Sequence, residues 1–421
     1  MMKNNKKLTA VITAVSLAAT MSACSAPAIG AGTANAVTID GYDVPAGVFI
    51  FYTLSAYNDA ASIVAKNGEN TSPTTKEVEK AHIDNLEAAE WIQNKATDYC
   101  KNFVAIEKEF EKIGGTLSAE DLDEVKNGIS TYSSYSIYSD NGIGEESIRK
   151  ILENESKSQY IFDYYYGFEG EKGVSEDELK DYFDENFARV KYVDISVTDS
   201  TTGEKLSDDE VQERKELAES YAKQINEKSK IEDKMAEVDK VQEAYDQFVA
   251  DKQAEADAAA AAESGEAVTT TTTAATTTAE TETTTTTTDP YANERLVQKE
   301  TTTTADEDAE DDAATTTTTQ SPAQIAQKKL NDYIFGELEQ NKAEVVDGGD
   351  DIYVVVRADL RERMTEDDYW AENYIQGLQS MKFGEDYEDF LEEIVKNLNA
   401  DRNKSAYRRY APFKLTLEAS N

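Results

Sequence analysis

The sequence predicts an α+β protein in which a discontinuous, mainly helical domain carries a second, smaller domain of helices and strands. Long stretches place apolar residues at helical spacing, as from Ile92 to Ile113. Val193 to Val197 instead alternates as in a strand with one buried face. A tract of threonine, alanine and acidic residues at 253–320 interrupts the second domain. We expect the helical domain at 37–187 with 360–421, and the inserted domain at 188–359.

The N-terminus has the order of a secretory signal, with three lysines followed by an apolar run from Leu8 to Ala19. The run ends in Met21-Ser22-Ala23-Cys24, which resembles the lipobox of bacterial lipoproteins. This resemblance implies that residues 1–23 are removed, that Cys24 is lipidated and that 24–36 is a tether. The alternative is an ordinary cleaved signal. A transmembrane anchor is disfavoured because the run is too short for a hydrocarbon core of about 30 Å.

The first domain is predicted to open with a strand at 37–42 and to continue with helices at 46–65, 76–113, 118–130 and 144–166. The longest helix ends at Gly114-Gly115, which admit a positive φ. His82, the only histidine of the chain, and Cys100 both fall within this helix. We interpret His82 as a half-buried structural residue and Cys100 as a buried, unreactive thiol.

The segment that leads into the second domain begins with Ser175 and Glu178, which form a capping box ahead of a helix. A strand is predicted at 189–198. A second capping box, Ser207 with Glu210, begins a long helix whose apolar residues extend to Phe248.

The tract at 253–320 is predicted to be disordered, because it holds too few apolar residues to offset a chain entropy of about 1–2 kcal/mol per residue. It is either an unmodified spacer or an O-glycosylated stalk. A helix is predicted to follow Ser321-Pro322, and then strands at 344–346 and 352–357. Because Val354 to Val356 is a continuous apolar run, the last strand is predicted to be central. Beyond it we expect helices from Thr365 and at 385–398, and an extended end at 411–415.

Composition excludes several classes of function. The net charge of −42 makes nucleic acid an improbable partner, since phosphate binding needs a basic surface. A single histidine rules out paired-histidine metal or acid–base sites within one chain. The chain has no G-x-S-x-G elbow, Walker loop or G-x-G-x-x-G fingerprint, and the acidic run 306–312 lacks the pattern of a calcium loop. We therefore predict no cofactor, no metal site and no catalytic residue.

The order of elements resembles extracytoplasmic foldases of the PrsA and SurA type. The stretch from Val174 to Asn186 is similar to the junction before their parvulin domain, the peptidyl-prolyl isomerase module. The strand at 192–197, the helix from Asp208 and the segment 321–359 are similar to the strands and helices of a parvulin. The resemblance implies a SurA-N-like helical domain that the tail, 387–415, rejoins.

One departure from this family concerns catalysis. Active parvulins carry a pair of histidines and a cysteine or aspartate at the prolyl pocket, whereas residues 189–359 contain neither histidine nor cysteine. The resemblance therefore implies a degenerate parvulin domain, and we lean against enzymatic activity.

Tyrosine is abundant, at 23 residues, and rigid amphipathic rings suit adaptable contacts with unfolded chains. The candidate client contacts are Tyr132, Tyr135, Tyr138, Tyr164 and Tyr165, although such rings also commonly fill cores. The leading hypothesis is a chaperone or foldase on the outer face of a bacterial cell membrane. It would be held by its lipid and would bind unfolded exported polypeptides. The alternatives are a surface scaffold or binding lipoprotein with a threonine-rich stalk, and an active prolyl isomerase.

Overall fold

The computed structural model describes residues 35–68, 70–199, 202–264, 292–300 and 322–417. Cys24, Ser321 and most of the threonine-rich tract lie outside the described residues. The described chain combines helices with small antiparallel sheets, which confirms a mixed α and β composition. It divides into two compact units, Met1–Lys172 with Glu385–Asn421 and Gly173–Gly384.

The first unit is built on helices and two small sheets. Its described helices are α1 (Ala46–Asn67), α2 (Thr75–Lys80), α3 (Ala88–Lys112), α4 (Ala119–Ser133), α5 (Ser136–Asp140), α6 (Glu145–Tyr166) and α12 (Lys404–Arg409). Its strands are β1 (Val37–Ile39), β2 (Tyr42–Asp43), β3 (His82–Ile83), β4 (Leu86–Glu87) and β9 (Ala400–Arg402). The central strand β1 pairs antiparallel with β2 and β9, so that Thr38 faces both Asp43 and Asp401. One apolar core joins α1, α3 and α6 to Tyr407 of the C-terminal segment.

The second unit is a four-stranded antiparallel sheet between helices. It contains α7 (Glu176–Asn186), β5 (Phe187–Ser196), α8 (Asp208–Asn226), α9 (Ile231–Ser264), β6 (Arg295–Gln298), α10 (Pro322–Gly336), β7 (Ala343–Asp347) and β8 (Asp351–Ala358). Helix α11 (Glu372–Lys396) begins here, and its residues from Glu385 belong to the first unit. The strand order is β6-β5-β8-β7, which confirms that the valine-rich strand β8 is central.

Each face of this sheet is covered by helices that bury alternate strand residues. Val193 and Ile195 of β5 pack with α8 and α9. Ala188 and Val190, from the other face of the same strand, pack with α10. The capping boxes at Ser175 and Ser207 are both present and begin α7 and α8 as predicted.

The second unit extends further than the domain predicted at 188–359. Its boundaries fall at Lys172/Gly173 and Gly384/Glu385, whereas the prediction placed them at 187/188 and 359/360. The physical reason is an apolar cluster that joins α7 to the segment after β8. Its buried members are Leu179, Phe183, Phe187, Leu360, Trp370 and Leu378.

The single helix predicted at 76–113 is wrong. A hairpin of β3 and β4 separates α2 from α3, and its two turn residues, Asp84 and Asn85, have φ values of 50° and 62°. Two consecutive left-handed residues form the tight turn that short hairpins favour, and Asn and Asp tolerate that conformation. His82 is consequently an exposed strand residue 3.5 Å from Glu87, and not a half-buried helical one.

The other differences also concern where elements begin and end. The long helix predicted after Ser207 is two helices, α8 and α9, which residues 227–230 separate. The two C-terminal helices predicted from Thr365 and at 385–398 are one, since 365–371 forms turns and α11 begins at Glu372. The predicted extended end contains a 3₁₀ turn at Pro412–Lys414.

The disorder predicted for 253–320 is wrong for part of that range. Helix α9 continues to Ser264, and β6 lies inside the tract, where Leu296 pairs with Arg189 of β5. Beside β6, Asn331 of α10 donates to the carbonyl of Gln298 at 2.7 Å and accepts from the Glu300 amide at 3.1 Å. These contacts hold the strand at the edge of the sheet.

A buried ion network fixes the start of β6. We call it the Glu294 network, and its members are Arg189, Glu294, Glu362, Arg363 and Asp368. Arg189 donates to both carboxylate oxygens of Glu294, at 2.8 and 2.9 Å, and Arg363 donates to the same carboxylate at 2.9 Å. A third donor of Arg189 reaches Glu362 at 3.1 Å. The side chains of Arg189 and Glu294 are only 2% and 1% exposed, so their charges depend on each other.

Candidate functional site

Three of the five candidate tyrosines form one cluster on the first unit. The ring centroids of Tyr132 and Tyr138 lie 6.0 Å apart with nearly parallel planes. The ring of Tyr135 is almost perpendicular to both, at centroid distances of 6.3 and 6.0 Å. We call this arrangement the tyrosine cluster. It presents ring faces in two perpendicular orientations.

Local structure explains why these rings meet. Tyr132 lies in the last turn of α4, Tyr138 lies in α5, and Tyr135 precedes α5 directly. The amide of Tyr135 donates to the carbonyl of Tyr132, and the amide of Tyr138 donates to that of Tyr135, each at 3.1 Å. These two turns link the three tyrosines, which are three residues apart in the sequence, and keep their side chains together.

The cluster is anchored on one side and open on the other. Tyr132 and Tyr138 are half-buried against the apolar core, and Tyr138 lies 5.6 Å from the ring of Phe51 in α1. Tyr135 is 52% exposed. Packing therefore fixes two rings and leaves the third in solvent.

An acidic residue that sequence reasoning missed lies close to the tyrosine cluster. Glu155 of α6 raises the pKa of Tyr132 and Tyr138, in addition to the larger effect of their own burial. Desolvation also raises the pKa of the Glu155 carboxyl itself. No spacing in the sequence indicates this neighbour, because it depends on how α4 packs against α6.

The structure does not bring Tyr164 and Tyr165 into the tyrosine cluster. Both lie in the last turn of α6, where Tyr165 donates to Glu109 at 2.6 Å and its ring lies 5.0 Å from that of Phe390. Tyr164 is 50% exposed. Among the described residues no ring contact joins this pair to Tyr132, Tyr135 or Tyr138.

In the second unit, one sheet face carries aromatic and acidic groups. Tyr192 and Tyr353 meet edge to face at 5.6 Å, and the guanidinium of Arg295 lies 4.4 Å from the Tyr192 ring. Asp194 pairs across the strands with Tyr353. Desolvation, and secondarily repulsion from Asp351, raise the pKa of Asp194 to about 6, although Arg295 opposes the shift.

On this face the Asp194 carboxyl is exposed and the Tyr192 ring is half-buried, whereas the Tyr353 ring is buried in the core beneath α10. An imidazole acid–base pair cannot be assembled there, since 189–359 contains no histidine. Within the described ranges, no group of three or more histidine, cysteine, aspartate or glutamate residues has the geometry to hold a metal ion. The groups that this face leaves accessible are therefore part of the Tyr192 ring and the carboxyl groups of Asp194 and Asp351.

One described helix, α1, is long and apolar enough to cross a membrane. Its Val48, Phe49 and Leu54 are buried in the core of the first unit, so its apolar character has a structural use. Cys100, on the neighbouring helix α3, is fully buried, and burial raises the pKa of its thiol. The thiol is therefore held in its unreactive form.

Comparisons with known proteins add no relative to this description. No family model matches the chain, and no curated protein or solved structure matches it either.

Proposed function

We propose that this protein is a lipid-anchored extracytoplasmic chaperone that binds unfolded exported polypeptides without proline isomerase chemistry. The observation that carries the proposal is the tyrosine cluster, in which Tyr135 stays exposed while Tyr132 and Tyr138 are fixed by packing. Fixed rings lose little conformational entropy on contact, and their mixed character accepts both apolar and polar segments.

The second unit supports the proposal by its topology. The elements similar to a parvulin form one unit. Strand β5 and the β7–β8 hairpin belong to one antiparallel sheet, and α8 and α10 cover its two faces. On the face that carries Asp194 and Asp351, Tyr192 is a partly exposed aromatic ring. Binding of a client chain, without catalysis of prolyl isomerisation, is the role that these groups favour.

In this proposal the lipid at Cys24 holds the protein at the membrane. A body with a net charge of −42 is repelled by an anionic membrane surface, so a covalent anchor is the device that would keep it there. We expect Cys24→Ala to release a folded protein that still binds clients in solution.

Suppression of aggregation tests the function. The purified full-length protein is added to a reduced client protein, and light scattering is followed over time. We expect suppression at equimolar to several-fold excess, and a clear loss of it in Tyr135→Ala. Tyr374→Ala, which removes a ring that is 41% exposed and lies outside the tyrosine cluster, is the matched control. Unchanged scattering at several-fold excess of the unmodified protein would contradict the proposal.

A proline-limited refolding assay separates binding from catalysis. We expect no acceleration of the slow phase, whose barrier is about 18–20 kcal/mol in the absence of a catalyst. A rate enhancement proportional to protein concentration would show that the protein is an isomerase.

A further inference from the structure

The tyrosine cluster has the composition of a site for a cation. Aromatic ring faces attract ammonium and guanidinium groups, and several rings in perpendicular orientations do so from more than one side. Elsewhere the chain uses this contact internally, as where Lys95 lies 5.1 Å from the Tyr99 ring. Over Tyr132, Tyr135 and Tyr138, no lysine or arginine of the described ranges takes that position.

Glu155 adds a negative charge beside the same rings. It raises the pKa of Tyr52, Tyr132 and Tyr138, which lie in α1, α4 and α5. In the described part of the chain, no lysine, arginine or histidine lies within ion-pair distance of its carboxylate. Its neighbour Lys157 is already paired with Glu107 at 2.8 Å. The Glu155 side chain is exposed, and the described residues place no counter-charge at its carboxylate.

We infer that the tyrosine cluster and Glu155 together bind a lysine or arginine side chain of a client polypeptide. The faces of the tyrosine rings would contact the charged group and the aliphatic stem of that side chain, and Glu155 would pair with its charge. Complementarity of charge favours this occupant, because the protein carries 84 acidic and 42 basic residues. The inference rests on the proposed function and names the client feature that the site recognises.

Peptide binding tests the inference directly. Two capped, unstructured peptides are compared that differ only in carrying lysine or acetyl-lysine at three positions, so that length and stem are matched. Binding to the purified full-length protein is followed by tyrosine-region NMR shifts or by fluorescence anisotropy. We expect the lysine peptide to bind on the order of tenfold more tightly. The preference should shrink at 0.5 M salt, where the screening length falls to about 4 Å.

Variants assign the preference to its residues. We expect Tyr135→Ala and Glu155→Gln each to weaken binding of the lysine peptide by about threefold, with little change for the acetylated peptide. Glu153→Gln, two residues away on α6 and therefore about 200° around the helix, is the matched control and should leave both affinities unchanged. Circular dichroism verifies that each variant remains folded.

The outcomes separate this inference from the proposed function. Equal affinity for the two peptides, or an equal loss of affinity in Glu153→Gln, would overturn the cation site while leaving suppression of aggregation intact. A lysine preference without suppression of aggregation would overturn the chaperone proposal and leave the cation site standing.

Discussion

The Glu294 network provides the sharpest test of how the second unit is held together. In Glu294→Gln, the carboxylate that receives three donors from Arg189 and Arg363 is replaced by a neutral amide. Arg189 would keep the carbonyl of Asp359 and the exposed carboxylate of Glu362, but its charge would remain buried. Breaking a buried ion pair from one side costs about 3–5 kcal/mol.

The chain offers its own reporters for this measurement, since it has only two tryptophans. Trp91 lies in the first unit and Trp370 is buried in the second, so Trp91→Phe leaves a fluorophore that follows the second unit alone. At a slope of about 2 kcal/mol per M urea, the expected loss lowers the midpoint by about 2 M.

Glu362→Gln is the matched control, because it contacts the same guanidinium at 3.1 Å but its side chain is 51% exposed. Surface pairs of this kind contribute about 0–1 kcal/mol, so its midpoint should move by less than about 0.5 M. Equal shifts in the two variants would refute the reasoning, since they would show that burial of Glu294 does not set the cost.

Three further predictions concern single residues. Because the folded state raises the pKa of Asp194 from 3.8 to about 6, that state binds the proton more tightly, and the unfolding free energy of the second unit should fall as pH rises from 3.8 to about 6. In Asp194→Asn this fall in unfolding free energy should be absent when unfolding is followed by Trp370 fluorescence. The same pH dependence in the variant and the unmodified protein would contradict the prediction. The Cys100 thiol should resist an aromatic disulfide reagent in native buffer and react only in urea, whereas rapid native labelling would disprove its burial. Asn85→Val should cost about 1–3 kcal/mol by placing a β-branched residue at positive φ, while Asn85→Gly should cost little; both are read from Trp91, whose indole donates to Asp84.

Local signals in the sequence predicted the elements that depend on local chemistry. The hydroxyls of Ser175 and Ser207 and the glutamates three residues later identify two helix starts, since both partners lie within one turn. The run Val354 to Val356 identifies the central strand because a strand covered on both faces needs no alternation.

The features that the sequence did not predict depend on contacts between residues that are distant in the chain. Strand β6 is four residues inside a low-complexity tract, and it is fixed by Arg189, which lies 105 positions before Glu294. The hairpin of β3 and β4 was missed because Val78, His82 and Leu86 fall four apart by chance, whereas Asp84-Asn85 determines the turn. The spacing of Tyr132, Tyr135 and Tyr138 was visible, but the position of Glu155 beside them depends on tertiary packing.

Binding to one protein in two states of folding tests the central proposal most directly. A client is prepared in its native form and in a reduced, alkylated form that cannot refold, and each is titrated with the purified full-length protein. We predict saturable binding of the unfolded form, weakened in Tyr135→Ala, and no measurable binding of the native form. Equal binding of both forms, or of neither, would contradict the account.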